Sequence, residues 1–446
     1  MEEAQILDEL RFLIRAKFCI TTITPTDCNS IANKIRLLTK KNISEMTIKR
    51  IFGFTPTKYS FSQYTLSQLS DCNAELNEQL DSDNWRKMMV KTKGITNQTL
   101  LDIKNECSIP DEHICSRKFA EQHFNAFLNR DFAFTCFISP PGWGKTTILS
   151  QLARGFLSNP ANWASSILFL TACDFLDGDS QVLKITDFIK KELGIDSALD
   201  LMEYIDDICG NSKLVIFIDG FNNPKVKPDI KRQLFEGLHQ FSEEISNSHI
   251  QLVMGMRSTD WAAFVKRTND EASFRKRWFP GPYFDPENNS NIPILRIDEI
   301  NEIVSSINGS DTIVDPKLKR CLGVPMYLQS YYELRNGLPN PHGAVITSDQ
   351  IITHFIKSRV NSSNYFTEKM YLINKIIDHG KGNCGINEDA FALVILIFGN
   401  AYKELLSDGI LIEKQDVYND VYCKTSVHFA RPCLQDFFIW SRGLVS

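Results

Sequence analysis

The sequence predicts an α/β fold, a parallel sheet with helices on both faces, set between a small all-α N-terminal domain and a mostly helical C-terminal third. Three observations carry this. Phe132–Phe156 writes a short apolar run, a loop dense in proline and glycine, and an amphipathic helix in direct succession. Lys213–Asp219 (KLVIFID) and Ile250–Met256 (IQLVMGM) are continuous apolar runs, the pattern of parallel strands covered by helices on both sides. The first 85 or so residues instead show helical apolar spacing and helix-capping residues.

In chain order, Ile6 to Phe18 places Ile6, Leu7, Leu10, Leu13 and Ile14 on one helical face. Thr26-Asp27 can cap a second helix running through Leu38, with Ile31, Ile35 and Leu38 together. Ser44 can cap a short third helix that reaches Phe52 and is closed by Gly53. Helix, short turn, short helix is the arithmetic of a helix-turn-helix. Between Arg11 and Ser60 ten Lys/Arg face only Asp27 and Glu45, a net charge of +8. Lys49 and Arg50 lie on the presumed recognition helix, with Lys40 and Lys41 at its approach. DNA binding and a basic face on a protein-interaction module are both open readings of that charge. From Thr92 to Asp111 the sequence turns polar and loses periodicity, which predicts a linker.

The loop Ser139-Pro140-Pro141-Gly142-Trp143-Gly144 can continue neither a strand nor a helix. Gly142 and Gly144 let backbone N–H groups turn inward around a polyphosphate, and the following helix adds the positive end of its dipole. Lys145 would reach the β- and γ-phosphates, Thr146 would hold Mg²⁺ through its hydroxyl, and Thr147 continues the helix start. Ser139 stands where the first glycine of the pattern belongs. Asp219 ends its strand where ligands of open α/β sheets bind, and is the candidate second-shell carboxylate for Mg²⁺. Arg257 follows the third strand as a candidate γ-phosphate sensor. The implied cofactor is ATP or ADP with Mg²⁺.

Beyond Trp261, Pro280–Pro293 reads as a surface loop, and Asp298–Ile307 and Lys317–Arg335 read as helices. The latter is interrupted by Gly323-Val324-Pro325, where the proline suits a helix first turn. From about Thr347 onward, helices alternate with short β-rich patches at Leu411–Ile412 and Val427–Phe429, as in a winged helix. Ala390–Tyr402 (AFALVILIFGNAY) is the nearest approach to a membrane span, too short for one, and reads as a buried core helix. Composition is that of an ordinary soluble protein, with 446 residues, 43% hydrophobic, 23% charged and a net charge of −5. That charge argues against a surface that coats nucleic acid globally. Twelve cysteines without a CxxC pair, and no charged-then-apolar leader, lead to the expectation of a cytoplasmic protein with reduced thiols and no membrane partner.

From about Cys115 onward the chain resembles the STAND class of signalling P-loop NTPases, close to its NACHT and related bacterial branches. The carriers are SPPGWGKTT at the phosphate loop, KLVIFIDGFNN at the second strand, QLVMGMRS at the third, GVP at Gly323–Pro325 and FARPCLQDFF at Phe429–Phe438. The N-terminal segment is similar to a small helical module that opens many bacterial regulatory proteins, on NISEMTIKRIFGF at Asn42–Phe54, QYTLSQLSDC at Gln63–Cys72 and Asn84-Trp85. The resemblance divides the chain into a helix-turn-helix-like module (1–90), a linker (91–114), the NTPase core (115–295), a helical lid (296–345) and a winged-helix-like domain (346–446). It implies that Arg117, in Ser116-Arg117-Lys118, lies near the adenine, that Pro325 belongs to the lid element on the nucleotide, and that Arg431 takes the place of a phosphate-side histidine, with His428 as a possible substitute. It also implies a switch: ADP holds lid and winged helix on the core, and ATP exchange opens them for homo-oligomerisation.

One departure bears on turnover. Asn222 and Asn223 stand where the class carries acids, and an amide cannot take a proton from water, so slow or negligible hydrolysis is expected. No HExxH, paired Cys/His spacing, GxSxG turn or repeat array is present. Three functions remain open: a nucleotide-operated signalling switch that recruits a partner protein, with bacterial defence against phage as one setting; a DNA-binding transcription regulator controlled by the NTPase; and a remodelling or loading ATPase.

Overall fold

The computed structural model describes residues 2–443 except 19, 21–22, 56–59, 82–83, 160–161, 163–164, 178–180, 211, 224, 247, 268–270, 310–314, 338–344, 380–385 and 419–421. Lys58 of the basic N-terminal stretch lies outside the described residues.

The N-terminal module consists of α1 (Glu2–Phe18), α2 (Asp27–Thr39), α3 (Glu45–Ile51) and α4 (Gln63–Asp81). Ser44 caps α3 by accepting a hydrogen bond from the Thr47 amide at 3.1 Å, as its position before an amphipathic run requires. Leu10, Leu13, Ile14, Ile31, Ile35, Ile48, Ile51 and Leu69 close one apolar core drawn wholly from this module.

The segment expected to be a linker is instead most of a long helix, α5 (Asn84–Glu106). Its polarity misleads because Thr92, Thr96 and Thr99 are buried against a strand edge. Thr96 Oγ1 donates to the Ile167 carbonyl at 2.8 Å and accepts from the Phe169 amide at 3.0 Å. Thr99 Oγ1 donates to the Phe169 carbonyl at 2.8 Å, and the Thr92 hydroxyl pairs with that of Ser166. Threonines one helical turn apart thus satisfy an edge strand that would otherwise expose unpaired backbone groups.

The core then runs α6 (Lys118–Leu128), β1 (Phe134–Ser139), α7 (Lys145–Ser158), β2 (Ser166–Thr171), a small hairpin of β3 (Leu176–Asp177) and β4 (Gln181–Val182), α8 (Ile185–Leu193), α9 (Leu201–Cys209), β5 (Leu214–Asp219), α10 (Pro228–Glu244), β6 (Ile250–Arg257), α11 (Ser258–Val265), α12 (Glu271–Arg277) and β7 (Trp278–Phe279). The sheet is parallel throughout, in the order β2-β5-β6-β1-β7. Side chains of β5 alternate between its faces. Leu214, Ile216 and Ile218 join one core with α8 to α12, while Val215 and Phe217 join another with α6 and α7. Both faces are therefore covered, which explains the uninterrupted apolar runs.

The remaining elements are α13 (Ile297–Asn308), α14 (Pro316–Leu322), α15 (Pro325–Asn336), α16 (Ser348–Ile356), a π-turn at Lys357–Asn361, α17 (Phe366–His379), β8 (Ile386–Asn387), α18 (Glu388–Ile397), α19 (Gly399–Ser407), β9 (Leu411–Tyr418), β10 (Tyr422–Phe429) and α20 (Pro432–Gly443). The three strands form a separate antiparallel sheet, β8-β10-β9. The helices of 297–336 share one core with those that follow; Tyr327, Leu328, Phe355, Leu372, Leu405 and Leu434 all belong to it. The apolar stretch Ala390–Tyr402 is not one buried helix. It breaks at Phe398, and Leu393, Leu396 and Ile397 are 72%, 84% and 64% exposed. Among the described residues no helix is long and apolar enough to cross a membrane.

Candidate nucleotide site

The topology puts three chain segments side by side at one end of the sheet. β6 lies between β1 and β5, with Ser139 paired to Arg257 and Ile218 to Met254. The C-terminal ends of these strands therefore present, in order, the phosphate loop, Arg257 and Asp219. They open onto a cavity of about 490 Å³, the size of a small-molecule site.

Gly142 and Gly144 hold φ values of +75° and +79°, and Gly144 caps the start of α7. A side chain at either would be strained, and a Cβ at Gly142 would fall 2.1 Å from Met326 Sδ. Lys145 is the first residue of α7 and is almost wholly buried. Its Nζ donates to the carbonyls of Ser139 (3.0 Å) and Pro140 (2.9 Å) and to Ser139 Oγ (3.1 Å). The ammonium is thus folded back onto its own loop, and Ser139 serves as its partner and not as a lining residue. Burial, reinforced by the nearby Arg257 charge, pushes the Lys145 ammonium down to about 8. A polyphosphate would reverse that shift by pairing the charge.

Asp219 is 7% exposed. Burial raises its carboxyl above the ordinary range, against the hydrogen bond it receives from Thr146. The carboxylate fits only because its neighbour on β6 is Gly255: a Cβ there would lie 2.6 Å from Asp219 Oδ1 and 2.8 Å from Leu149 Cδ1. Sequence reasoning missed Gly255. A lone glycine inside an apolar strand was the available signal, since it marks a close approach.

The rest of the lining comes from pieces scattered along the chain. Cys107, Ile109, Ile114, Cys115, Leu295, Ile303 and Leu328 supply the cavity's apolar lining. The lid reaches the loop directly. Pro325 opens α15 over Gly144, and the Met326 amide donates to the Gly142 carbonyl at 2.9 Å. The C-terminal part reaches it too, through Arg359, Ser407 and Asp408. Arg257 donates through Nη2 to the Ser407 carbonyl at 3.4 Å and to Ser407 Oγ at 3.3 Å. Asp408 accepts from the buried Lys369 at 2.9 Å, which fixes the 407–409 turn, and a Cβ at Gly409 would touch both Met326 and Pro141.

Most sequence-stated candidates thus meet at one cavity: Gly142, Gly144, Lys145, Thr146, Thr147, Asp219, Arg257, Pro325 and Arg117 all line it. Arg117 does so with its guanidinium already engaged. It donates from Nε to Glu299 at 3.0 Å and from Nη2 to the Pro293 carbonyl at 2.8 Å, tying the start of α6 to α13. Arg431 is not among the lining residues. Its guanidinium lies over the Tyr327 ring of α15, 5.9 Å from the centroid, a contact that holds it outside the cavity lining. His428 pairs with Ser426 Oγ at 2.8 Å and does not line the cavity either. Of the two asparagines only Asn222 faces the cavity; Asn223 turns back and accepts from the Lys225 amide at 3.0 Å.

A glycine cradle, a lysine paired only with its own loop's carbonyls and the Ser139 hydroxyl, and a threonine–aspartate pair fit a nucleotide di- or triphosphate with Mg²⁺. No protein-family model matches the chain. No curated protein matches it. Among solved structures it is similar to the Aeropyrum pernix ORC2 protein in ADPNP–ADP complexes, at 14% identity over 73% of this chain and 93% of that one, with a TM-score of 0.38. It is also similar to the Aeropyrum pernix ORC1 protein in complex with DNA, at 9% identity over 76% and 96%, TM-score 0.38. Thermotoga maritima RuvB follows at 13% identity over 67% and 90%, TM-score 0.34. The fold itself is a parallel sheet with helices on both faces, a glycine-rich loop between β1 and α7 and an acid at the end of β5.

Proposed function

We propose that this chain binds ATP or ADP with Mg²⁺ and acts as a nucleotide-operated switch of the STAND type, in which the body beyond residue 296 reports the phosphate state. The observation that carries the proposal is the contact of Arg257 with Ser407. The residue at the tip of the central strand, which on this reading would meet a terminal phosphate, is held by the C-terminal part of the chain instead. A γ-phosphate would compete for that guanidinium and release the 407–409 turn. Met326 would feel the same event through its hydrogen bond to Gly142. Bound Mg²⁺, held by Thr146 and through Asp219, would neutralise phosphate charge. Asn222 at the cavity can orient a water but cannot accept its proton, which supports slow hydrolysis. The order α17-β8-α18-α19-β9-β10 supports the winged-helix reading of the C-terminal domain.

The test is to extract and identify the nucleotide that accompanies the purified protein, then to titrate ATP and ADP into the emptied chain. Stoichiometric ADP in the extract and a Lys145→Ala variant that loses about 10- to 100-fold in affinity are expected. Full affinity in Lys145→Ala would overturn the site.

The N-terminal module offers a second reading, DNA binding through α2 and α3. Lys49 pairs with Glu45 at 2.6 Å and the Arg50 guanidinium lies 4.2 Å from the Phe61 ring centroid, so both basic groups are occupied within the module. That geometry favours a docking module for protein. Retention on duplex DNA that is abolished by Lys49→Glu with Arg50→Glu and falls steeply with salt would restore the DNA reading. Rapid ATP turnover would favour a remodelling or loading ATPase.

A further inference from the structure

The opposite end of the sheet carries a second group of ligating side chains that nucleotide binding does not use. Asp206 and Cys209 lie one turn apart on α9, and His249 directly precedes β6. A carboxylate oxygen, a thiol sulfur and an imidazole nitrogen lie within 4.8 Å of one another, the only such group of three among the described residues. His249 meets Asp206 Oδ1 twice, from its backbone amide at 2.9 Å and from Nδ1 at 2.8 Å, so the carboxylate and ring are already oriented toward each other. Cys209 is buried in the apolar core beside this pair, and its thiol donates to the Asp206 carbonyl at 3.8 Å and to the Gly210 carbonyl at 3.7 Å. The histidine–aspartate hydrogen bond accounts for two of the three groups; the thiol lies beside them in the apolar core.

We propose that Asp206, Cys209 and His249 form a site for a borderline-soft divalent cation of the Zn²⁺ class, which ties the end of α9 to the start of β6. Sulfur, nitrogen and oxygen donors together suit Zn²⁺, with water as the fourth ligand; Mg²⁺ and Ca²⁺ take oxygen ligands and avoid thiolate. Binding forms a metal–sulfur bond and releases the thiol proton to solvent. The site is independent of the nucleotide: His249, just before β6, and Arg257, at its end, lie about 26 Å apart at a strand rise of ~3.3 Å per residue.

Cobalt is the probe. The untagged, reduced full-length chain, titrated with Co²⁺, should show thiolate-to-cobalt charge-transfer absorption saturating at one equivalent and reversed by Zn²⁺. Excess Mg²⁺ should leave it intact, and so should Lys145→Ala. Cys209→Ala should abolish the band, and His249→Gln and Asp206→Asn should weaken binding by about tenfold or more. A wild-type chain with no thiolate band would overturn the proposal, as would an undiminished band in Cys209→Ala. Should Cys209→Ala not fold, an unchanged cobalt affinity in His249→Gln would overturn it equally.

Discussion

The two ends of this chain are both small, mostly helical bodies, and they relate to the nucleotide cavity in opposite ways. The N-terminal module closes its core from its own residues, Leu10 to Cys72. The C-terminal body shares its core with the lid, and that core takes in Cys115, Leu295 and, at its margin, Trp143 of the phosphate loop. Leu405 and Tyr327 therefore belong to the same packed unit as the wall of the cavity, while Leu69 and Ile35 do not. Close-packed interiors transmit displacement, so a change at the phosphates reaches α15 and α19 before it reaches α2 or α3. On the switch reading proposed above, the contrast separates the part that would read the nucleotide from the part that would hold a partner.

A matched pair of substitutions tests this most severely. Leu405 and Leu69 are both fully buried. Replacing either with alanine should cost about 2–5 kcal/mol in its own body. Leu405→Ala should also change ADP affinity, and Leu69→Ala should leave it within about twofold, measured by calorimetry on chains shown to be folded; a twofold change is about 0.4 kcal/mol. Equal effects on affinity would dissolve the distinction.

A smaller effect is expected from Gly142→Ala. The φ of +75° and the collision with Met326 should together cost about 1–3 kcal/mol. Part of that strain is relieved by displacing α15, so limited proteolysis should cut 325–443 faster and 2–81 at an unchanged rate.

The mildest handle is pH. Lys145 must be charged to hold phosphate, and in the empty site burial has lowered it to about 8. Binding below that value takes up no proton; above it, each nucleotide bound must bring one. Affinity should be flat from about pH 6 to about 7 and then fall toward about tenfold per pH unit above 8. A profile that rises with pH would mean that Lys145 does not hold the phosphates.

The phosphate end of the cavity was legible in the sequence because its chemistry is local. Strand, glycine turn, lysine and helix are contiguous, and the strand-end residues Asp219 and Arg257 follow from apolar runs. The apolar lining was not legible, since Ile109, Leu295, Ile303 and Leu328 meet only through tertiary packing. α5 was misread because Thr92, Thr96 and Thr99 are buried by hydrogen bonding to a strand edge and carry no hydrophobic period. Ala390–Tyr402 was misread in the other sense: its apolar composition says nothing of the break at Phe398 that leaves Leu393 and Leu396 exposed. Arg431 failed because a register counted along the chain does not fix where a long side chain points.

The most direct measurement is amide hydrogen exchange on the full-length chain with ADP and with a non-hydrolysable ATP analogue. ATP in place of ADP should speed exchange in Pro325–Gln329 and in Gly399–Gly409, with 2–81 unchanged. Identical exchange in both nucleotides at Ser407 and Met326, or a change confined to the N-terminal helices, would contradict it.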